Sequence, residues 1–194
     1  MSLTIRLFSD VICPFCYIAE QTVMKQLAIK KSVSFLWLGM ELHPETSIGG
    51  VLINDARYSD FRHYVQKFAA DFGMDRLKIP DFVYNTHKLL LVAEYAREQD
   101  KLEEFRNLAY KAYWQENVNI EDDLILSQIV TACGMDGSSA TSAFENLNYK
   151  LRLEKRRYNA LQLGIKTLPG FMWGKKAIIG CHPYSAFEKT FQKE

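Results

Sequence analysis

A Cys-Pro-Phe-Cys segment, residues 13–16, lies where a β-strand is predicted to pass into an α-helix, and it constrains the fold more than any other feature. Residues 3 to 8 alternate between two faces, which is typical of a strand. An apolar stripe then predicts a helix from about residue 14 to 29: Ala19, Val23 and Leu27. Pro14 suits the first helical position, because its fixed φ and missing N–H cost nothing there.

The position of Cys13 at the predicted helix N-cap favours a reactive thiolate. Free backbone N–H groups and the positive end of the helix dipole stabilise negative charge there. A thiolate, not a thiol, attacks a disulfide, and Cys16 is near enough to resolve the mixed disulfide. A zinc site needs further soft ligands, but Cys133 and Cys181 are far apart in sequence. We interpret the pair as redox-active, with metal ligands and structural thiols as the alternatives. We expect Cys13 to be the more exposed and more acidic thiol.

The order of predicted elements indicates an α/β domain interrupted by helices. Residues 33–40 are apolar on both faces, which predicts a buried central strand. The middle of the chain is predicted to be helical throughout, and its last helix starts at a Ser138 cap and runs to a glycine C-cap at Gly164. Two strands around a Gly174–Lys175 turn follow, then a short helix. Because neither flanking half closes a sheet alone, we assign residues 1–55 plus 148–194 to one domain and residues 56–147 to an inserted helical domain.

The composition excludes several classes of protein. The 194 residues carry a formal net charge of +1, which lacks the basic excess of nucleic-acid-binding proteins. No apolar run is long enough to span a bilayer, and the N-terminus does not have the pattern of a secretory signal. We therefore expect a cytoplasmic protein with no nucleic-acid or membrane partner. The four histidines show no metal-ligand spacing, so neither a metal nor a bound cofactor is expected.

Three segments resemble the DsbA superfamily. Asp-Val-Ile-Cys-Pro-Phe-Cys-Tyr at residues 10–17 is similar to its active-site segment, and closest to the FrnE-like branch, which often reads Asp-x-x-Cys-Pro-Trp-Cys. Residues 163–171 resemble its cis-proline loop, and residues 180–187 resemble its last turn and helix. This resemblance spans nearly the whole chain. It implies a thioredoxin fold with a large helical insertion, and thiol–disulfide exchange with Cys13 as nucleophile and Cys16 as resolving thiol.

The same resemblance implies a substrate-binding surface beside the cysteines. It predicts a cis Leu168–Pro169 bond, although cis bonds make up only about 5% of X–Pro bonds in folded proteins. Leu168, Pro169, Pro14 and Phe15 are the candidate substrate-binding residues. Phe15 stands where relatives usually have Trp or His, and Leu168 stands where Val or Thr is common. Cys181 and the histidine after it replace a common Ala-Gln pair.

Two acidic residues flank the cysteine pair. Glu20 lies four residues beyond Cys16 and matches an acidic position of DsbA, so it is a candidate auxiliary residue for proton transfer, with a solvated helix face as the alternative. We interpret Asp10 as a residue that orients or caps the loop. Cys133 is predicted to pack in the core, and Cys181 either packs or has a redox role. The aromatic residues of the 110–114 segment are interpreted as core.

The predicted activity is disulfide exchange with protein, peptide or small-molecule thiols and disulfides, with glutathione as a candidate co-substrate. The alternative is a glutathione-dependent enzyme of the same superfamily, of the 2-hydroxychromene-2-carboxylate isomerase or kappa-class transferase type. Those relatives usually carry Ser at the position of Cys13 and lack the second thiol. The helical insertion is expected to fold over the active site and narrow its groove, with Phe15 and Leu168 as the floor and Asn85 and Thr86 along one wall.

Overall fold

The computed structural model describes residues 3–192, and a four-stranded mixed sheet lies at its centre. The strands of the described residues are β1 (Thr4–Ser9), β2 (Ser34–Gly39), β3 (Val51–Leu52), β4 (Phe82–Val83), β5 (Gly170–Trp173) and β6 (Lys176–Ile179). The central sheet has the order β2-β1-β5-β6. β1 is parallel to β2 and antiparallel to β5, and β5 forms an antiparallel hairpin with β6. The predicted turn at Gly174 and Lys175 is confirmed.

Helices flank this sheet and fill most of the chain between β2 and β5. They are α1 (Pro14–Gln21), α2 (Val23–Lys31), α3 (Ser59–Asp71), α4 (His87–Glu98), α5 (Leu102–Trp114), α6 (Asp123–Ala132), α7 (Ser138–Phe144), α8 (Leu147–Gln162) and α9 (Tyr184–Gln192). The α/β class and the helical insertion are confirmed. Among residues 3–192, no helix combines the length and the hydropathy that crossing a bilayer requires.

β2 is an edge strand, so the prediction of a buried central strand at residues 33–40 was wrong. Trp37 and Gly39 are buried, but Ser34 and Leu36 on the opposite face are exposed. The sheet places β1 and β5 in the middle instead, because the C-terminal hairpin adds to the far side of β1. An uninterrupted apolar run therefore did not mean that both faces of this strand were covered.

The helix predicted from residue 14 to 29 is divided into α1 and α2 at Thr22. This residue has φ −121° and ψ −86°, which is not helical. Its hydroxyl donates a hydrogen bond of 2.6 Å to the carbonyl of Ile18. A threonine hydroxyl that bonds to the carbonyl four residues earlier often bends a helix. The apolar stripe continues on both sides of Thr22, so the stripe alone did not predict the break.

The helix predicted from Ser138 to Gly164 is also two helices, α7 and α8. Ser138 is not the cap but the first helical residue, and the side chain of Asp136 accepts its N–H. Asn146 starts α8 by accepting hydrogen bonds from the N–H groups of residues 148 and 149. The glycine C-cap is confirmed: Gly164 has φ +80°, and the buried Ile165 donates its N–H to the helix end.

The middle of the chain is not helical throughout. The short strands β3 and β4 pair antiparallel, with Val51 opposite Val83. β3 lies within the predicted thioredoxin-fold segment, and β4 lies within residues 56–147, which we call the insertion. The β3–β4 pairing therefore joins the thioredoxin-fold segment to the insertion. The assignment of the insertion as a domain of its own stays a prediction.

Candidate active site

The cysteine pair lies at the start of α1, immediately beyond the end of β1. Cys13 is the N-cap residue, with φ −74° and ψ 116°, and Pro14 begins the helix. The backbone N–H of Cys16 donates a hydrogen bond to Cys13 Sγ at 3.3 Å. The sequence therefore folds here as predicted: proline sets the first helical turn, and the first thiol caps it. An N–H donor and the helix N-terminus both favour negative charge on Cys13.

The loop before β5 closes the other side of the pair. The Leu168–Pro169 bond is cis, as the sequence resemblance implied. Cys13 Sγ lies 3.7 Å from the carbonyl oxygen of Leu168 and donates to it. The carbonyl of Pro169 accepts a 2.7 Å hydrogen bond from Gly180 N–H, which ties the loop to the segment after β6. The structure thus brings together Cys13, Cys16, Leu168 and Pro169.

Both thiols are enclosed by protein. Cys13 is 1% exposed and Cys16 0%, so the expected difference in exposure amounts to almost nothing. Burial raises the pKa of Cys16 well above its ordinary value of 9.0, and hydrogen bonding to Cys13 raises this pKa further. A hydrogen bond with the Ser9 hydroxyl acts in the opposite direction. Cys16 therefore holds its proton at neutral pH, which suits a thiol that acts second.

Glu20 is a buried part of the site rather than a solvated helix position. Its Oε1 accepts hydrogen bonds from Ser9 Oγ at 3.1 Å and from the Tyr110 hydroxyl at 2.7 Å. Its Oε2 lies 3.2 Å from Arg106 Nε, at an angle that makes an ion pair but no hydrogen bond. Burial raises the pKa of Glu20, although Arg106 and the hydroxyls oppose this rise. Ser9 contacts both Glu20 and Cys16, so a hydroxyl lies between the carboxylate and the second thiol.

Asp10 joins three segments rather than capping its own turn with its side chain. Its Oδ2 accepts hydrogen bonds from Leu42 N–H at 2.7 Å and from the Thr86 hydroxyl at 3.0 Å. Its Oδ1 is buried without a partner among the described residues. Burial raises the pKa of Asp10 to about 6, and the negative charge of the nearby Glu41 also raises it, whereas the hydrogen bonds from Leu42 and Thr86 lower it. The backbone carbonyl of Asp10 accepts the N–H of Cys13 at 3.2 Å, so this residue fixes the loop before the nucleophile.

Helix α5 of the insertion holds the loop that leads into the cysteine pair. Trp114 Nε1 donates a 2.7 Å hydrogen bond to the carbonyl of Val11, and its ring stacks on Tyr17 with centroids 5.0 Å apart. The Tyr110 hydroxyl lies 2.9 Å from Ser9 Oγ. Sequence reasoning missed Ser9, Tyr110 and Trp114 as site residues. A usable signal existed, since a buried tyrosine or tryptophan normally needs a partner for its O–H or N–H.

A cavity of about 260 Å³ lies against Cys13, between the thioredoxin-fold segment and the insertion. It is lined by Ile12, Cys13, Pro14, Phe15, Leu42, His43, Ile53, Phe61, Val65, Ile79, Pro80, Val83, Tyr113, Trp114, Thr167 and Leu168. Phe15 packs edge-to-face on Phe68 of α3, with centroids 5.1 Å apart. Residues of the insertion thus line the cavity beside Cys13, as expected, and so do Phe15 and Leu168. That Phe15 and Leu168 bind substrate stays a prediction.

The predicted polar wall of this groove was wrong. Asn85 donates to the carbonyl of Thr46 at 2.8 Å, and Thr86 donates to Asp10. Both side chains are committed to tying loops together, so neither lines the cavity. A larger depression of about 560 Å³ lies beside residues 73–78 and also touches Trp114, but no cysteine lines it.

The other two cysteines lie away from the pair's hydrogen bonds. Cys133 is buried in the main apolar core, as predicted, and burial raises its pKa. Cys181 follows β6 and is buried as well, and burial raises its pKa to about 12. All four cysteines are free thiols. No cluster of three or more His, Cys, Asp or Glu with metal-binding geometry occurs among residues 3–192.

A dithiol at the start of a helix, facing a cis-proline loop beside a mixed sheet, defines a protein of the thioredoxin-fold class. A family model described as "DSBA-like thioredoxin domain" matches residues 4–192. The chain therefore belongs to the DSBA-like thioredoxin family. It is 28% identical over 199 residues to the uncharacterized protein YwbO of Bacillus subtilis, with 100% of this chain and 98% of that protein covered.

Solved structures share this fold over nearly the full chain. A probable DsbA oxidoreductase from Streptomyces coelicolor superposes with a TM-score of 0.83 at 20% identity, covering 98% of this chain and 89% of that one. A 2-hydroxychromene-2-carboxylate isomerase gives 0.78 at 18%, covering 97% and 94%. The cytosolic disulfide reductase DsbM from Pseudomonas aeruginosa, solved with GSH, gives 0.63 at 16%, covering 99% and 100%. At these identities the similarity demonstrates the fold alone.

Proposed function

We propose that this protein is a thiol–disulfide oxidoreductase of the FrnE-like branch, with Cys13 as the nucleophile and Cys16 as the resolving thiol. The observation that carries the proposal is the position of Cys13 Sγ. It accepts the N–H of Cys16 at the helix N-terminus and lies beside the carbonyl of Leu168 in the cis-proline loop. This sulfur therefore lies at the helix N-terminus and next to backbone that can pair with an extended substrate.

The proposed exchange proceeds in two steps. The Cys13 thiolate attacks one sulfur of the substrate disulfide, whose S–S bond breaks as a mixed disulfide forms and the first thiolate leaves. Cys16 then loses its proton and attacks the Cys13 sulfur, which releases the second thiolate. The substrate is reduced by two electrons, and the Cys13–Cys16 pair is oxidised by two. Every step is reversible, so the same residues carry the reaction in the oxidising direction.

Glu20 takes the role of proton acceptor for the second step, with Ser9 between it and Cys16. A Glu20→Gln variant should slow release of the second thiol by about 100-fold or more, since general base catalysis contributes about 10²- to 10⁴-fold. Burial raises the pKa of Glu20, so its basic form is available only above this raised pKa. The wild-type release rate should therefore rise with pH through that range, and the variant's should not. Rapid-mixing measurements of thiol release at several pH values test this.

The control for this measurement is Glu103→Gln, which removes an exposed carboxylate from α5. We expect its release rate and pH profile to match those of the wild type. Equal release rates and equal pH profiles for Glu20→Gln and the wild type would contradict the role of Glu20.

The partners we propose are peptides, proteins and small molecules that carry thiols or disulfides, in the cytoplasm. Glutathione is the proposed co-substrate, and no bound cofactor is required for the two steps. Support comes from the shared fold of a cytosolic disulfide reductase solved with GSH. Pro14, Phe15, Leu168 and Pro169 are the proposed substrate contacts, because they surround Cys13 in the cavity or in the adjoining loop.

Because residues of the insertion line the cavity beside Cys13, we expect unfolded peptide disulfides and small disulfides such as oxidised glutathione to be reduced faster than a compact folded disulfide protein. A folded domain cannot bring its sulfur to a thiol that is 1% exposed, whereas a flexible chain can thread in. Rates of consumption of the three substrates, measured side by side with dithiothreitol as the final reductant, test both the activity and the ranking. Equal or faster reduction of the folded protein would contradict the covering role of the insertion.

The second candidate function is a glutathione-dependent isomerase or transferase. It is favoured by the TM-score of 0.78 to 2-hydroxychromene-2-carboxylate isomerase. Such an enzyme activates glutathione and needs no resolving thiol, whereas this chain has an intact pair. Isomerisation of the chromene substrate with glutathione, retained in Cys16→Ser, would favour this alternative. Disulfide reduction that requires both cysteines would favour the oxidoreductase.

A further inference from the structure

The cavity beside Cys13 is lined mainly by apolar side chains. Among the described residues that line it there is no Lys, Arg, Asp or Glu. The hydroxyl of Tyr113 is already used, since it donates to the carbonyl of Phe82 at 2.8 Å. The polar side chains His43 and Thr167 are exposed and mark the side where the cavity meets water, and His43 is paired with Glu45 at 3.0 Å. The interior next to the thiol is therefore apolar.

The size and enclosure of this space limit what can enter. At about 260 Å³ it is smaller than the roughly 300–1,000 Å³ of sites for drug-sized ligands. Cys13 forms part of its wall and is 1% exposed, so a disulfide that reacts here brings one sulfur to the cavity wall and the group next to that sulfur into the cavity. A substituent with a few heavy atoms fits inside the cavity, whereas the charged ends of a tripeptide such as glutathione stay outside it.

The cost of losing hydration then distinguishes charged, hydroxyl and alkyl substituents that enter the cavity. A carboxylate or ammonium that enters the cavity loses its hydration and finds no opposite charge, which is strongly unfavourable. A hydroxyl loses water hydrogen bonds and finds few free partners, which costs less. An alkyl group gains by leaving water.

We propose that the cavity is a binding site for the uncharged, apolar substituent of a low-molecular-weight disulfide, and that such disulfides are the preferred substrates of Cys13. This inference rests on the proposed function. The Cys13 thiolate attacks the sulfur that carries the enclosed substituent, the S–S bond breaks, and the other half leaves as a thiolate into the mouth of the cavity. Cys16 then displaces the enclosed half as a second thiolate. Glutathione fits this scheme as the half that stays outside, with its charged ends in water.

Four disulfides of nearly equal size test the substituent directly: dipropyl disulfide, bis(2-hydroxyethyl) disulfide, cystamine and dithiodiglycolate. Each is mixed with the pre-reduced protein, and each rate is divided by the rate of the same compound with free dithiothreitol, which removes differences in intrinsic reactivity. We expect the normalised rate for dipropyl disulfide to exceed that for the hydroxyethyl compound by about tenfold, and those for the two charged compounds by about 100-fold or more.

Two variants locate the effect in the cavity. Val65→Thr on α3 and Val83→Thr on β4 each replace one methyl group of the wall with a hydroxyl. Each should lower the preference for dipropyl over hydroxyethyl disulfide several-fold. Val92→Thr is the matched control, because Val92 is as buried as Val65 but lies on α4 outside the cavity. We expect it to leave the preference unchanged. Using two wall variants keeps the test decisive if one of them does not fold.

The outcomes separate this inference from the proposed function. If neither the four compounds nor an unfolded peptide disulfide is reduced by a protein with both thiols free, the oxidoreductase proposal fails. If only the peptide disulfide is reduced, the oxidoreductase stands and the apolar site is wrong. If all are reduced at similar normalised rates, or a charged compound reacts fastest, the oxidoreductase stands and the apolar site is wrong. A loss of preference in Val92→Thr equal to that in Val65→Thr would also overturn the assignment to this cavity.

Discussion

Replacing Cys13 with serine is expected to lower the rate of disulfide exchange by at least about 1000-fold, because a serine hydroxyl stays protonated near neutral pH and does not attack sulfur. Replacing Cys16 with serine should instead leave the first step intact and trap the mixed disulfide on Cys13. Intact-protein mass spectrometry after mixing with oxidised glutathione measures both results. We expect a stable adduct on Cys16→Ser and none on Cys13→Ser.

The remaining cysteines provide the control for this experiment. Cys133→Ala and Cys181→Ala should exchange at the wild-type rate, since neither thiol contacts the pair through a hydrogen bond in the structure. An adduct that forms on Cys13→Ser but not on Cys16→Ser would reverse the assigned roles. An adduct mapped to Cys181 would instead give that thiol a redox role.

Replacing Asp10 with asparagine is expected to change the pH dependence of stability. Burial raises the pKa of Asp10 from 3.8 to about 6, so the folded protein binds this proton more tightly than the unfolded chain. The stabilisation is complete below the unfolded value and is lost as pH rises through about 6. Between about pH 4 and pH 8 the wild type should lose about 2 to 3 kcal/mol that the variant does not lose. Urea unfolding at both pH values measures the free energies of unfolding.

Asparagine keeps an oxygen that can accept from Leu42 and Thr86, so the local geometry is conserved in this comparison. The difference between variant and wild type isolates Asp10, because Glu20 and the other buried groups titrate in both proteins. Asp75→Asn, an exposed position, serves as control and should follow the wild type at both pH values. A variant-minus-wild-type difference that does not change with pH would show that Asp10 has the same pKa in the folded and unfolded protein, which would contradict the rise caused by burial.

The local parts of the site were predictable from the sequence because they depend on neighbouring residues. Pro14 places the helix start, and the helix start places Cys13 at the N-cap. Gly164 and Ile165 form the predicted C-cap for a similar reason: only the backbone of the preceding turn is involved. The cis bond before Pro169 required the family resemblance, since composition and spacing favour trans.

The features that sequence reasoning missed depend on contacts between distant segments. Whether β2 is central or at an edge is decided by where the C-terminal hairpin pairs, which the residues of β2 do not encode. The Ser9–Glu20–Tyr110 hydrogen bonds join two segments separated by 90 residues or more, so Glu20 alone looked like a surface position. Asp10 likewise acts through Leu42 and Thr86, neither of which has a distinctive sequence pattern.

The hydrogen bond from Trp114 to the carbonyl of Val11 spans 103 positions of the chain. The insertion therefore cannot be replaced as an independent unit without affecting the loop before Cys13. A chimera that takes its helices from a relative also replaces the support of the loop that presents the nucleophile. Grafts intended to change the substrate range should keep α5 and exchange α3 and β4. These two elements line the cavity but donate no hydrogen bond to the loop before Cys13.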